Sequence, residues 1–217
     1  MKALFIYCAG GFGKEVMDVA RRAAVLARWQ EVVYIDDFCE TDTRYGARVF
    51  AFDAASDWLQ ENVGEVVIAS GEPKVRAKLR AKLEAQGIAF GTVIDTTTVV
   101  ADTARVAPGG VTPLCSISSD AVIHTNACID TMAIVGHDVV VGENTVISSM
   151  VNLGGGARIG NNSYIGMGAL LKEGISIGNN TVIGIGSVVY NDIPDNLIAL
   201  GNSARPMRPN DTKNVFK

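Results

Sequence analysis

The sequence predicts two architectures in one chain: a small Rossmann-like α/β domain over residues 1–95 and an all-β parallel β-helix over residues 96–217. Three observations carry that prediction. From Val111 onward every sixth residue is a branched aliphatic; the first ninety-odd residues instead alternate apolar strands with helical stretches; and the 23 glycines cluster at the turns of both halves. A fixed internal period decides architecture before any single element does.

In the first half, Ala3 to Tyr7 reads as an apolar strand, followed by Cys8-Ala9-Gly10-Gly11-Phe12-Gly13 and a helical stretch from about Lys14 to Arg28. A second strand, Val32 to Ile35, ends in Asp36-Asp37. A third, Val66 to Ala69, ends in Ser70-Gly71-Glu72-Pro73 and enters a helix from about Lys74 to Gln86. Strands alternating with helices imply a parallel sheet, here with room for one mononucleotide-type unit. The stretch from about Gly91 to Gly110 joins the halves through an irregular first coil, where Arg105 breaks the aliphatic register.

The second half carries fourteen consecutive aliphatic hits, from Val111 and Ile117 through Ile183 and Val189. Two residues before each, the side chain is usually small (Cys115, Ala121, Ala127, Ser163), and just after it glycine is frequent (Gly136, Gly142, Gly154, Gly160, Gly166). One short strand per hexad points its aliphatic inward, and glycine or asparagine lets the backbone turn. Three hexads close a triangular coil, so four to five coils stack at ~4.8 Å into a rod roughly 20 Å long. An amphipathic helix is excluded, since a period of six drifts against 3.6 residues per turn.

Composition narrows the function classes. The 217 residues are 48% hydrophobic with a net charge of −4 and no basic cluster, so no footprint for nucleic acid exists. No apolar run reaches the ~20 residues of a membrane span, and the opening residues lack a secretory pattern. Four cysteines (Cys8, Cys39, Cys115, Cys128) show neither metal spacing nor scaffold density. The expectation is a soluble cytoplasmic protein.

Gly10, Gly11 and Gly13 sit where a strand becomes a helix, a place where backbone N–H groups receive an anion. Cys8 replaces the first glycine of a full G-x-G-x-x-G, and a plain tight turn explains the same residues. Asp36 and Asp37 suit hydrogen bonds from a ribose or base imide, or form a solvated loop. Of two histidines, His137 lies at a coil corner directly beside Asp138. An imidazole with a carboxylate to fix its tautomer is the minimum kit for a general base. His124 has no such partner and is read as structural. Two histidines are too few for a three-histidine zinc site, so no metal is expected.

The hexads Ile159-Gly160-Asn161-Asn162-Ser163-Tyr164 and Ile177-Gly178-Asn179-Asn180-Thr181-Val182 resemble the hexapeptide-repeat acyltransferases. That resemblance implies a left-handed coil. With the nucleotide-binding half, the chain resembles the sialic-acid-O-acetyltransferase-like group and is similar to bacterial N-acetyltransferases of nucleotide-linked 4-amino-4,6-dideoxy sugars. The resemblance implies His137 as general base with Asp138. It puts Asp36 and Asp37 at the nucleobase, the Gly10-Gly11-Phe12-Gly13 turn at the diphosphate, and Ser70, Gly71 and Arg76 beside the sugar nucleotide. It also implies acetyl-CoA as cosubstrate, with no permanently bound cofactor, and a homotrimer with the donor site between prisms. Val146, Gly155, Gly166 and Arg205 would lie along the coenzyme, with Arg205 and Arg208 at its phosphates or in a solvated tail. The chain departs from the pattern at Val146 (histidine in several relatives), Asp130 (asparagine) and Ser203 (proline).

The expected function is therefore acetyl transfer from acetyl-CoA to a nucleotide-linked sugar amine in bacterial surface-glycan synthesis. Direct attack on the thioester is expected, since no cysteine or serine adjoins His137. The alternatives are acyl transfer to another acceptor and a catalytically silent nucleotide-sugar-binding scaffold. A nicotinamide oxidoreductase rests on the glycine turn alone.

Overall fold

A computed structural model describes residues 2–24, 29–112 and 114–216. The first half contains β1 (Ala3–Tyr7), α1 (Gly11–Ala24), β2 (Glu31–Ile35), β3 (Thr43–Arg44), β4 (Ala47–Phe50), α2 (Phe52–Glu61), β5 (Gly64–Ile68) and α3 (Pro73–Ala85). The sheet order is β3-β4-β2-β1-β5, parallel except for the β3–β4 hairpin. Buried Leu4, Ile6, Tyr34 and Val67 face α1, while Phe5, Ile35, Val66 and Ile68 face the other side.

Three differences from expectation have local causes. Helix α1 starts at Gly11, because the Lys14 amide already donates to the Gly10 carbonyl; its expected continuation to Arg28 lies outside the described residues. The elements β3, β4 and α2 were not foreseen. Helix α2 carries no side-chain cap of its own, and Asp37 at the end of β2 accepts the Phe52 amide at 2.7 Å instead.

The second half is a three-sided parallel coil. One face stacks Val99–Val100, Ser116–Ile117, Ile134–Val135, Asn152–Leu153, Leu170–Leu171 and Val188–Val189. A second stacks Arg105–Val106, Val122–Ile123, Val140–Val141, Arg158–Ile159 and Ser176–Ile177. The third runs from Cys128–Ile129 through Val146–Ile147, Tyr164–Ile165 and Val182–Ile183 to Leu197–Leu200 and the antiparallel Arg205–Pro209. Every hexad aliphatic from Ile117 to Val189 is 5% exposed or less, and each such burial stabilises by about 1.5–3 kcal/mol. The coil begins earlier than the hexad count implies. Val100 pairs with Ile117 and Val106 with Ile123, so the register slips by one residue across this junction and Arg105 points outward.

The corners also differ from the simple glycine-turn picture. Left-handed backbone falls three residues after each aliphatic, at Asp120, Asn126, Met132, Asp138, Asn144 and onward to Gly186, with φ between 51° and 70°. The glycines just after the aliphatics serve another purpose. A Cβ on Gly160 would lie 2.6 Å from the Asn179 amide nitrogen of the next coil, so these positions must be bare for the coils to stack.

The first half docks on the third face, where Cys128 and Val146 join the cluster of Leu4, Ile6, Val16 and Met17. Arg76 fastens the junction. It is fully buried and donates to the carbonyls of Ile68, Ser70, Gly109 and Asn126 and to Asn126 Oδ1. Asn126 continues into a ladder, its Nδ2 donating to Asn144 Oδ1 and Asn144 Nδ2 to Asn162 Oδ1.

Candidate functional site

The glycine turn closes against β2. Cys8 keeps the backbone of the glycine it replaces (φ 85°), a conformation costing a β-carbon-bearing residue about 1–3 kcal/mol. Burial and the nearby Asp36 push its thiol up to about 11. Gly13 has no room for a Cβ, which would strike the Cys8 carbonyl, and the Tyr34 hydroxyl donates to the Gly13 carbonyl. Gly13 therefore serves strand–helix packing. Gly10 and Gly11 instead face open space at the start of α1, where free N–H groups and the helix dipole favour an anion.

The two aspartates separate. Asp36 accepts the Ala9 amide at 2.8 Å and the Phe38 amide at 2.9 Å, so it shapes the turn while lining a cavity of about 180 Å³. Phe38 (94% exposed), Cys39 and Arg44 complete that cavity, and no sequence pattern had marked them. Asp37 turns away to Phe52, the Tyr7 hydroxyl and Lys82 Nζ. Burial works to raise its pKa, but those hydrogen bonds outweigh it and hold the carboxyl below its ordinary value. Asp37 thereby caps α2 while the residue stays exposed beside Lys82.

A larger cavity, about 270 Å³, opens between the start of α1 and the third face of the coil. Phe12, Val146, Tyr164, Met167 and Phe216 form its apolar walls; Glu15, Asp130, Ser148 and Ser149 supply polar atoms, and Gly71 its rim. Burial, with Asp130 and Asp18 nearby, raises the Glu15 pKa. Ser70 lies just behind, its Oγ accepting the Glu72 amide. Among the residues expected beside the sugar nucleotide, Arg76 is the correction: with no exposed surface and its donors spent on carbonyls, it touches no ligand. Gly166 lies beside Met167 as a stacking glycine, its Cβ position 2.7 Å from the Ile183 carbonyl oxygen. Arg205 is exposed beside Leu200 at the edge of the third face, outside this cavity.

His137 stands at the corner between the first and second faces. Left-handed Asp138 (φ 59°) swings neighbouring side chains together, and His137 Nδ1 meets Asp138 Oδ2 at 2.8 Å. Among the described residues no group hydrogen-bonds Nε2. The ring lies over Gly155, where a Cβ would fall against Nε2 and Cε1. The imidazole is 72% exposed. A corner between two faces is opposite the third, so a single chain keeps His137 and the 270 Å³ cavity on different sides of the prism. His124 is exposed at a different corner and, among the described residues, has no such carboxylate partner. Among the described residues no group of three or more His, Cys, Asp or Glu could hold a metal ion, and no helix is long and apolar enough to cross a membrane.

Known proteins share this fold. Residues 3–83 match the PglD N-terminal domain family, and residues 156–191 match the bacterial transferase hexapeptide (six repeats) family. The acetyltransferase domain of PglB from Neisseria gonorrhoeae FA1090 is similar with a TM-score of 0.88 and 27% identity, over 94% of this chain and 99% of that one. PerB from Caulobacter crescentus, solved in complex with CoA and GDP-perosamine, is similar with a TM-score of 0.85 and 27% identity, over 95% and 97%. WeeI from Acinetobacter baumannii AYE, at 24% identity over 95% and 100%, shares the fold with a TM-score of 0.69. No curated protein sequence matches. On that combination the chain is similar to the hexapeptide-repeat nucleotide-sugar acetyltransferases, with a Rossmann-like domain carried on a left-handed parallel β-helix.

Proposed function

We propose that this protein transfers the acetyl group of acetyl-CoA to the amine of a nucleotide-linked 4-amino-4,6-dideoxy sugar, in the cytoplasm, for bacterial surface glycans. The observation that carries the reading is the His137–Asp138 pair: Nδ1 is tied to a carboxylate at 2.8 Å while Nε2 faces the open floor made by Gly155. Asp138 fixes the tautomer that leaves an Nε2 lone pair free to accept a proton. The amine attacks the thioester carbonyl, His137 takes the amine's proton, and collapse expels the coenzyme thiolate, which is reprotonated. Backbone N–H groups at the corners offer stabilisation to the oxyanion. Relatives solved with CoA and GDP-perosamine support this choice of substrates.

The opposed positions of His137 and the cavity support a homotrimer in which one prism's corner meets its neighbour's cavity. Exposed Met132, Ile134, Met150 and Leu170 on and beside the first face are apolar surface for such packing. In this arrangement the glycine turn holds the diphosphate, the cavity with Phe38 and Arg44 takes the nucleobase, and the pantetheine arm runs past Gly155.

His137→Ala is expected to lower kcat by about 10²–10⁴-fold in a thiol-release assay, with nucleotide-sugar affinity by calorimetry retained. Near-normal turnover removes the histidine from its role. Nucleotide-sugar binding without any thiol release from the wild type favours the silent scaffold instead.

A further inference from the structure

The closing segment of the described chain returns to the first half. After the strand Arg205–Pro209 it crosses to the start of α3, where Lys74 Nζ donates to the Thr212 carbonyl and to Asn214 Oδ1, each at 3.1 Å. There the Glu72 carboxylate accepts the Val215 amide at 2.9 Å and the Phe216 amide at 3.1 Å. Two amides on one ionised acceptor make a charge-assisted clasp. The clasp sets the Phe216 ring into the 270 Å³ cavity, edge-on to Tyr164 with centroids 5.6 Å apart and close to Gly71. A Cβ on Gly71 would already stand 3.7 Å from that ring. Phe216 nevertheless remains 56% exposed, so one side is packed and the other is offered to the cavity.

We propose that Phe216 is a specificity-determining residue of the acceptor site, its free face packing on the deoxy edge of the sugar, with Glu72 as the positioning residue that holds it there. The inference rests on the acetyltransferase reading above. The cavity places it at the sugar: Phe12 belongs to the glycine turn itself, so the group beyond a bound diphosphate meets the walls made by Phe12, Tyr164 and Phe216. A methyl group loses nothing against such a wall. A hydroxymethyl group surrenders water there, and an aromatic ring supplies no hydrogen bond in return.

The test compares a 6-deoxy amino-sugar nucleotide with its 6-hydroxy counterpart, in a thiol-release assay on the full chain. Phe216→Ala is expected to raise KM for the deoxy acceptor and lower the deoxy-over-hydroxy ratio of kcat/KM by about tenfold. KM for acetyl-CoA should stay unchanged, and Phe216→Leu should keep most of the preference. Glu72→Gln should shift the same ratio by about threefold, in proportion to the weaker clasp, with an unchanged melting temperature. Wild-type turnover with a ratio unmoved by Phe216→Ala overturns the inference alone, as does a change confined to KM for acetyl-CoA. No thiol release from the wild type with any sugar amine overturns the acetyltransferase reading and this inference together.

Discussion

At the scale of the residue, the decisive geometry is a glycine beneath an imidazole. Gly155 is bare where His137 lies, and its Cβ position is occupied by the ring rather than by backbone. Gly155→Ala is therefore expected to leave the fold standing while pushing the ring aside. A displacement near 1 Å costs about 10²-fold in rate, so kcat should fall by about that much with a nearly unchanged melting temperature; unchanged kcat would mean that the ring position does not matter. The sequence displayed the His137-Asp138 adjacency but not the left-handed turn at Asp138 that makes it a contact, because aspartate adopts that backbone only where a corner requires it. The resemblance set Arg76 beside the sugar nucleotide, and only the fold shows it buried with its donors on carbonyls.

At the scale of the element, the hexad was legible because each repeat obeys the same two steric demands, an inward aliphatic and a small neighbour. The role of glycine was less legible, since two demands produce the same letter. Gly160 is bare to admit the next coil, whereas Gly168 has φ 68° and nothing within 4 Å of its Cβ position. Gly160→Ala should destabilise by about 1–3 kcal/mol, as overpacking does. Gly168→Asn should cost under about 1 kcal/mol, since asparagine visits this conformation readily and fills it at Asn126, Asn144 and Asn162. Thermal melts of the two variants decide between the roles, and equal losses would refute the distinction. The early elements β3, β4 and α2 escaped notice because what organises them is distant in sequence, with Asp37 capping Phe52 across 15 residues.

At the scale of the whole molecule, the proposed site divides between neighbouring chains. His137 and the cavity face opposite ways on one prism, and this arrangement was not readable from motifs, which say nothing of direction. Mixing provides a test. His137→Ala and Gly71→Trp chains should each be inactive alone, yet regain activity when co-assembled, because some interfaces then pair an intact corner with an intact cavity. Persistent inactivity in mixtures shown by ultracentrifugation to be trimeric would place the whole site within one chain.

Arg76 carries a mechanical corollary. Prising the Rossmann-like domain from its coil would part the Arg76 guanidinium from the carbonyls of Gly109 and Asn126, leaving water to replace them. Hydrogen bonds from a charged donor contribute about 1.5–3 kcal/mol each, so the closed junction is favoured. The junction is thus fastened from within, by one charged donor shared between the two halves.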